Sequence, residues 1–142
     1  MKEMILTVTG CLGAAIAAVF GGWSAGLTTL IIFMAVDYAT GLIVAGVFHR
    51  SPKSDGGALE SRAGWKGLVR KGVTLLIVLI ACRLDIMLGV TYIRDAVVIA
   101  FIVNESLSIL ENAGLMGVPI PAAITKAIEL LKDNSDSGSA PD

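Results

Sequence analysis

The sequence is poor in the residues that most catalytic and metal sites require. Its 142 residues include one histidine, His49, and two cysteines, Cys11 and Cys82, which lie in apolar runs without a CxxC spacing. We therefore predict no metal site, no disulfide framework and no cofactor. The motifs GxSxG and HExxH and the glycine-rich loops that bind phosphates or dinucleotides are absent as well, so an enzyme is not expected.

Charge is also scarce. Charged residues make up 16% of the chain and hydrophobic residues 55%, and the mean hydropathy is +0.80. This composition is far more apolar than one small water-soluble core would need, and it indicates that lipid is the solvent. The net charge of -1 gives no reason to expect nucleic acid as a partner, and the local basic cluster lies in a segment too short to present it to one.

The apolar residues fall into four stretches, each close to the roughly 20 residues that cross a bilayer as a helix. The third carries Arg83 and Asp85 and the fourth carries several polar side chains, so their insertion is marginal and both three and four crossings remain open. We predict an all-α integral membrane protein with three to four transmembrane helices within residues 1–121. The stretches are residues 4–22, 27–48, 73–93 and 96–117.

The end of the sequence differs from the rest. Residues 122–133 place Ile124, Ile128 and Leu131 on one helical face, which predicts a short amphipathic helix at the membrane surface. Residues 134–142 contain no large apolar side chain and cannot contribute to a packed structure. We expect them to form a disordered tail.

Basic residues are concentrated between the second and third apolar stretches. Turn-forming pairs at Ser51-Pro52 and Gly56-Gly57 predict that residues 49–72 form a solvated loop. Because loops rich in Lys and Arg stay on the cytoplasmic side, this loop is expected in the cytoplasm, which with four crossings places both termini there. Six of the eleven basic residues lie in it: Arg50, Lys53, Arg62, Lys66, Arg70 and Lys71.

Small residues recur at helical spacing in the first two stretches. Gly41 and Ala45 follow Asp37 at i+4 and i+8, so the face that carries this carboxylate should meet protein or water and not lipid. Small-residue faces let helices approach closely, which drives association inside a bilayer. The face in the first stretch consists of Gly10, Ala14, Ala18 and Gly22.

Ionisable groups inside apolar stretches are expensive and mark candidate functional sites. Arg83 is the only basic residue inside the four stretches. We therefore consider that Arg83 pairs with Asp37 or Asp85. The acidic residues that Arg83 does not pair with have no other base inside the stretches. They suit helix faces that meet water when several copies of the chain assemble. Glu105, Ser108 and Asn112, at i, i+3 and i+7 in the fourth stretch, form a polar stripe that would also suit contact with water. The candidate lining residues are Asp37, Arg83, Asp85, Glu105, Ser108, Glu111 and Asn112.

Several short polar motifs occur in an order that resembles a known family. They run through Asp37-Tyr38-Ala39-Thr40-Gly41, Gly67-Leu68-Val69-Arg70-Lys71 and Leu84-Asp85, then NESLSILEN at residues 104–112 and GVPIP at residues 117–121. Together they cover roughly residues 35–121. This part of the chain resembles the phage lysis holins, a family that includes holin-like toxin-secretion proteins.

The resemblance implies a protein that accumulates in the bacterial host's cytoplasmic membrane and then oligomerises abruptly. The resulting non-selective lesion would release an endolysin, or a toxin, and lead to host cell lysis. Its partners would be other copies of the chain and membrane lipid, with no stable contact to the endolysin implied. Two other functions remain: a small ion channel or transporter subunit, and a membrane adaptor whose basic loop holds a cytoplasmic partner or anionic lipid.

Overall fold

The chain is all-helical, as predicted. A computed structural model describes residues 1–137, and within them five α-helices follow one another without a β-strand. Residues 138–142, which belong to the predicted disordered tail, lie outside the described residues. The helices are α1 (Lys2–Val19), α2 (Ala25–Gly46), α3 (Ser61–Leu88), α4 (Ile93–Leu115) and α5 (Ala122–Ser137).

Two of these helices have the length and composition of a membrane span. α1 and α2 contain 18 and 22 residues, which at 1.5 Å per residue extend about 27 and 33 Å, close to the thickness of a hydrocarbon core. Within the described part of the chain, only α1 and α2 are both long enough and apolar enough to cross a membrane. Because α3 and α4 are longer than α1, it is their charged and polar side chains, and not their length, that set them apart.

Glycines and a serine set the boundary between α1 and α2. Gly21 and Gly22 have φ values of 75° and 94°, in the left-handed region that ends a right-handed helix. The Ser24 hydroxyl then accepts a hydrogen bond from the Leu27 N–H at 3.2 Å and caps α2. α1 therefore ends before residue 22, and Gly22, predicted to share its small-residue face, lies in the turn.

The basic segment was expected to be a loop up to residue 72, and this prediction is wrong for its second half. α3 begins at Ser61, so the loop is confined to residues 47–60. Most residues from 61 to 72 tolerate or favour a helix, and Gly64 and Gly67 pack against a ring on α2. Cβ atoms added there would lie 3.4 Å and 3.7 Å from Tyr38, whose hydroxyl donates to the Gly64 carbonyl at 3.3 Å.

α4 is the central helix of the bundle, because α2, α3 and α5 all pack against it. α2 makes the most extensive contact with α4, whereas α2 and α3 touch over a short length. The buried core lies between α2, α3 and α4. It consists of Leu27, Leu30 and Met34 from α2, Val78 from α3, and Val98 and Ile102 from α4.

α5 packs along α4 through part of its apolar side. Ile128 is buried and Leu131 lies against the core cluster, whereas Ile124 is 48% exposed. The helix continues to Ser137, four residues into the segment predicted to be a disordered tail. The location of α5 at a membrane surface stays a prediction.

A polar cluster joins α3, α4 and the end of α1. The Asp85 carboxylate, in the last turn of α3, accepts the Ile93 and Arg94 N–H groups at 2.9 and 3.0 Å and thereby caps α4. The Arg94 guanidinium donates to the Phe20 and Gly22 carbonyls at 2.8 and 3.0 Å. These carbonyls follow the C-terminus of α1, where a cation is favourable.

α1 itself stands apart from the bundle. None of its residues is buried, and nothing lies within 4 Å of a Cβ atom added at Gly10. The face formed by Gly10, Ala14 and Ala18 therefore has no partner within residues 1–137, and its role in packing between copies stays a prediction. Arg94 is the main polar attachment of this helix to the rest of the chain.

We predict that Asp85→Ala lowers the free energy of unfolding by about 1 to 2 kcal/mol, because the first N–H groups of α4 lose their acceptor. Thermal unfolding of the detergent-solubilised protein, followed by circular dichroism, measures the change. Asp95→Ala is the matched control, since Asp95 is exposed in the first turn of α4 and caps nothing. Equal stability of the two variants would contradict this role for Asp85.

Candidate functional site

One lysine joins the three packed helices through their charged side chains. The Lys71 ammonium on α3 donates to Asp37 Oδ2 on α2 at 2.7 Å and to Glu105 Oε2 on α4 at 2.6 Å. Charge-assisted hydrogen bonds of this length are among the strongest polar contacts in proteins. We call Asp37, Lys71 and Glu105 the ion cluster.

An asparagine completes the surroundings of Asp37. The Asn112 amide on α4 donates to Asp37 Oδ1 at 3.1 Å, to the Asp37 carbonyl at 3.2 Å and to Thr40 Oγ1 at 2.9 Å. Gly41 lies on the same side of α2, and a Cβ atom added there would be 3.8 Å from the Asn112 amide nitrogen. This is an ordinary van der Waals distance, so α2 and α4 lie in direct contact at this point.

The ion cluster is almost removed from solvent. Asp37 is 5% exposed and Glu105 is 6% exposed, and the Lys71 side chain retains 16% of its surface. Burying charges is unfavourable unless each is paired and hydrogen-bonded, and removing one partner from such a group is strongly destabilising. In the described part of the chain no fully buried side-chain polar atom lacks a hydrogen-bond partner.

The base that pairs with these acids is not the one that the sequence suggested. Arg83 is exposed on α3 and forms no ion pair with any of residues 1–137. Asp85 lies two residues further along the same helix and caps α4 instead. Residues two apart on a helix point to different sides, so Arg83 cannot follow Asp85 into the bundle.

The other predicted lining and packing residues occupy a range of environments. Ser106, which was not singled out, is buried and donates to the Ile102 carbonyl at 2.7 Å. Ala45, one turn beyond Gly41 on α2, is buried as well. In the predicted stripe of α4, Glu105 and Asn112 are buried and Ser108 is half-buried, whereas Glu111, which lies outside the stripe, is exposed.

The ion cluster borders a cavity of about 460 Å³ between the ends of α2, α3 and α4 and the loop at residues 47–60. Ser108 and Glu111 also line it, so four of the seven predicted lining residues meet at one place. Cations from the loop and the first turns of α3 line its other side. They are Lys53, Lys66 and Arg70.

The chemistry of this site is electrostatic. Two carboxylates share one ammonium, so the fully ionised cluster carries one excess negative charge. Among the described residues, no group of three or more His, Cys, Asp or Glu side chains could hold a metal ion. The cluster can hold three helices together while its charges stay paired, and it presents a charged surface if the helices separate.

Lys71 is a member of the candidate site that the sequence pattern does not reveal. The pattern places it in the solvated loop, because the third apolar stretch begins two residues later, at residue 73. A signal was available, since residues 61–72 contain no proline and lead directly into that stretch. A continuous helix places Lys71 about 15 Å along the axis from Ser61, beyond the other loop cations.

Sequence comparison identifies related proteins. A profile of the bacteriophage holin family matches residues 14–133, which include all of α2, α3 and α4. The protein named Probable holin of Bacillus phage phi105 is 32% identical over 117 residues, covering 82% of this chain and 81% of its own length.

Bacterial relatives match over similar lengths. An uncharacterized protein of Halalkalibacterium halodurans is 36% identical over 138 residues, covering 93% of this chain and 96% of its own length. An uncharacterized 14.9 kDa protein of Clostridium perfringens is 36% identical over 124 residues, covering 86% and 88%. No solved structure shows significant similarity to this one.

We predict that Lys71→Met destabilises the protein by about 3 kcal/mol or more, because it leaves two buried carboxylates without a cation. Thermal unfolding in detergent measures the loss. The adjacent variant Arg70→Met is the control and should change stability by about 0.5 kcal/mol or less, since Arg70 is exposed and unpaired. Restoration of stability in the triple variant D37N/K71M/E105Q would show that charge pairing, and not lysine packing, is responsible.

Proposed function

The chain belongs to the bacteriophage holin family, and from this membership we propose that it assembles in a bacterial cytoplasmic membrane into non-selective lesions. Such lesions would let an endolysin, or in some hosts a toxin, cross the membrane and so lead to lysis of the host cell. The observation that carries the proposal beyond the family is the ion cluster. It lies inside a helical unit whose outer surface is largely apolar.

The burial of charge explains how the protein can accumulate without damage. With Asp37, Lys71 and Glu105 paired inside one copy, α2 and α3 turn apolar residues such as Ile32, Ile43 and Ile80 outward. A lipid environment accepts such a surface. We propose that this conformation is the intact, non-permeabilising form.

Opening would require the polar faces to exchange partners. If α2 and α4 separate, Asp37, Glu105 and Asn112 lose their contacts within the copy and need water or other copies. A ring of many copies that turns these faces inward would enclose water, which one small bundle cannot do. The exposed α1, with Gly10, Ala14 and Ala18 on one side, would supply a surface for contact between copies.

The proposed topology has α1 to α4 crossing the membrane. α3 and α4 would insert with Lys71, Asp85 and Glu105 turned towards neighbouring helices, which reduces the insertion penalty that each helix has alone, whereas Arg83 would stay on the outside in the last two turns of α3. The basic loop between α2 and α3 would then lie in the cytoplasm, following the positive-inside rule. The turn at Trp23 and the turn before Ile93 would lie on the opposite side.

We predict abrupt lysis after a lag when the chain is expressed in a bacterial host together with a murein hydrolase that lacks an export signal. Culture density and release of a large cytoplasmic protein are the measurements. Lysis should require both proteins, because only a wide lesion lets a folded hydrolase reach the wall. Loss of membrane potential without hydrolase escape would instead indicate a small ion channel and overturn the proposal.

The ion cluster should also set the time of lysis. We predict that Lys71→Met shortens the lag, since the intact form loses the contacts that hold α2 and α4 to α3. Lag times are compared at equal amounts of membrane-inserted protein, with Lys126→Met as the control of equal charge change, since Lys126 on α5 is exposed and forms no ion pair with any of residues 1–137. A lag that is unchanged or longer for Lys71→Met than for the control would separate the cluster from timing.

A further inference from the structure

Three cations form a straight line on the first turns of α3. Arg62, Lys66 and Arg70 are four residues apart, so their side chains lie one above the other on one side of the helix. We call these three residues the basic stripe. All three are exposed, and Trp65, which is 66% exposed, lies beside them.

The basic stripe has no acidic partner among the residues that the structure describes. Neither Arg62, Lys66 nor Arg70 forms an ion pair with any residue from 1 to 137, although Lys71 next to them is paired twice. No Asp or Glu stands three or four residues before or after any of them on α3. Their charge is therefore available to a ligand from outside the chain.

The length of α3 fixes the depth of these cations in a bilayer. Its 28 residues extend about 42 Å, which exceeds a hydrocarbon core of about 30 Å by two turns or more. Residues 72–88 carry only two charged side chains, Arg83 and Asp85, whereas the shorter segment of residues 61–71 carries four. The excess is consequently the first part of α3, which must lie among the lipid headgroups, and an exposed tryptophan such as Trp65 favours the same layer.

A recess for a headgroup lies beside the stripe. Lys66 and Arg70 line the 460 Å³ cavity together with Lys53 from the loop. The carboxylates that also line it are Asp37 and Glu105, both paired with Lys71, and Glu60 and Glu111. The three unpaired cations outnumber by one the two carboxylates outside the ion cluster, which offsets the one excess negative charge of that cluster, and Arg62 makes the surroundings of the stripe net positive.

We propose that the basic stripe, with Lys53, binds the phosphate headgroup of an anionic lipid in the leaflet that contains the start of α3. The complementary charge and the depth of the stripe select this occupant. The site goes beyond lesion formation, and it rests on the proposed crossing of the membrane by α3. A bound headgroup would link the start of α3 and the loop at residues 47–60.

The test uses the fluorescence of Trp65 in the full-length protein, reconstituted in vesicles of phosphatidylcholine and phosphatidylglycerol. Because the chain has two tryptophans, Trp23→Phe leaves Trp65 as the only emitter. Quenching is compared for bromine carried on the acyl chains of either lipid, at the same mole fraction. We expect brominated phosphatidylglycerol to quench more strongly, since it is enriched next to the stripe.

Neutralising the stripe should remove this preference. In the Trp23→Phe background, K66Q/R70Q is expected to reduce the affinity for phosphatidylglycerol relative to phosphatidylcholine by about fivefold for each charge removed. K126Q/K132Q removes the same charge from α5 and should retain the preference. The charge-preserving variant K66R/R70K should also retain it, which distinguishes loss of charge from loss of packing.

Each other result overturns the proposal in a recognisable way. Equal quenching by both lipids would show Trp65 at the membrane without a selective site, and the crossing of α3 would stand. Absence of quenching by either lipid would remove α3 from the membrane and so contradict the proposed topology as well. A preference that inorganic phosphate abolishes at constant ionic strength would identify a free-phosphate site instead of a lipid site.

Discussion

The sharing of Lys71 between Asp37 and Glu105 is the interaction on which the arrangement of α2, α3 and α4 depends. α2 and α3 touch each other over a short length, so apolar packing alone holds them weakly. A charge left unpaired in a lipid-like interior is far more costly than a lost apolar contact. The three helices are therefore held in one register by the requirement that all three charges stay paired.

A second polar contact governs the opposite end of the bundle. Asp85 caps α4, and the Arg94 that follows this cap reaches the carbonyls at the end of α1. α1 is thus attached at one end and otherwise exposes its apolar side chains. The two polar clusters lie at the ends of the bundle, with the apolar core of α2, α3 and α4 between them.

This distribution of charge suits the proposed behaviour of the protein in a membrane. The paired ions keep the outside of the bundle compatible with lipid, and the same groups would face water after the helices separate. The unpaired cations at the start of α3 differ in kind, because they lie outside the bundle and have no partner among residues 1–137. Charge within the bundle and charge at its surface would therefore have separate roles, one in holding helices and one in contacting lipid.

The sequence alone predicts a helical chain and indicates a lipid environment, because composition and the spacing of apolar residues depend on no distant contact. It also identifies Asp37, Glu105 and Asn112 as polar residues out of place in apolar stretches. The packing of the helices is what shows that Lys71 and not Arg83 pairs with the two acids, and that Asp85 caps a helix. The same packing places Ile128 and Leu131 of α5 against the bundle. The physical reason is that a charge or an apolar stripe in the sequence requires a partner without specifying it, and the partner is chosen by the register in which separate helices meet.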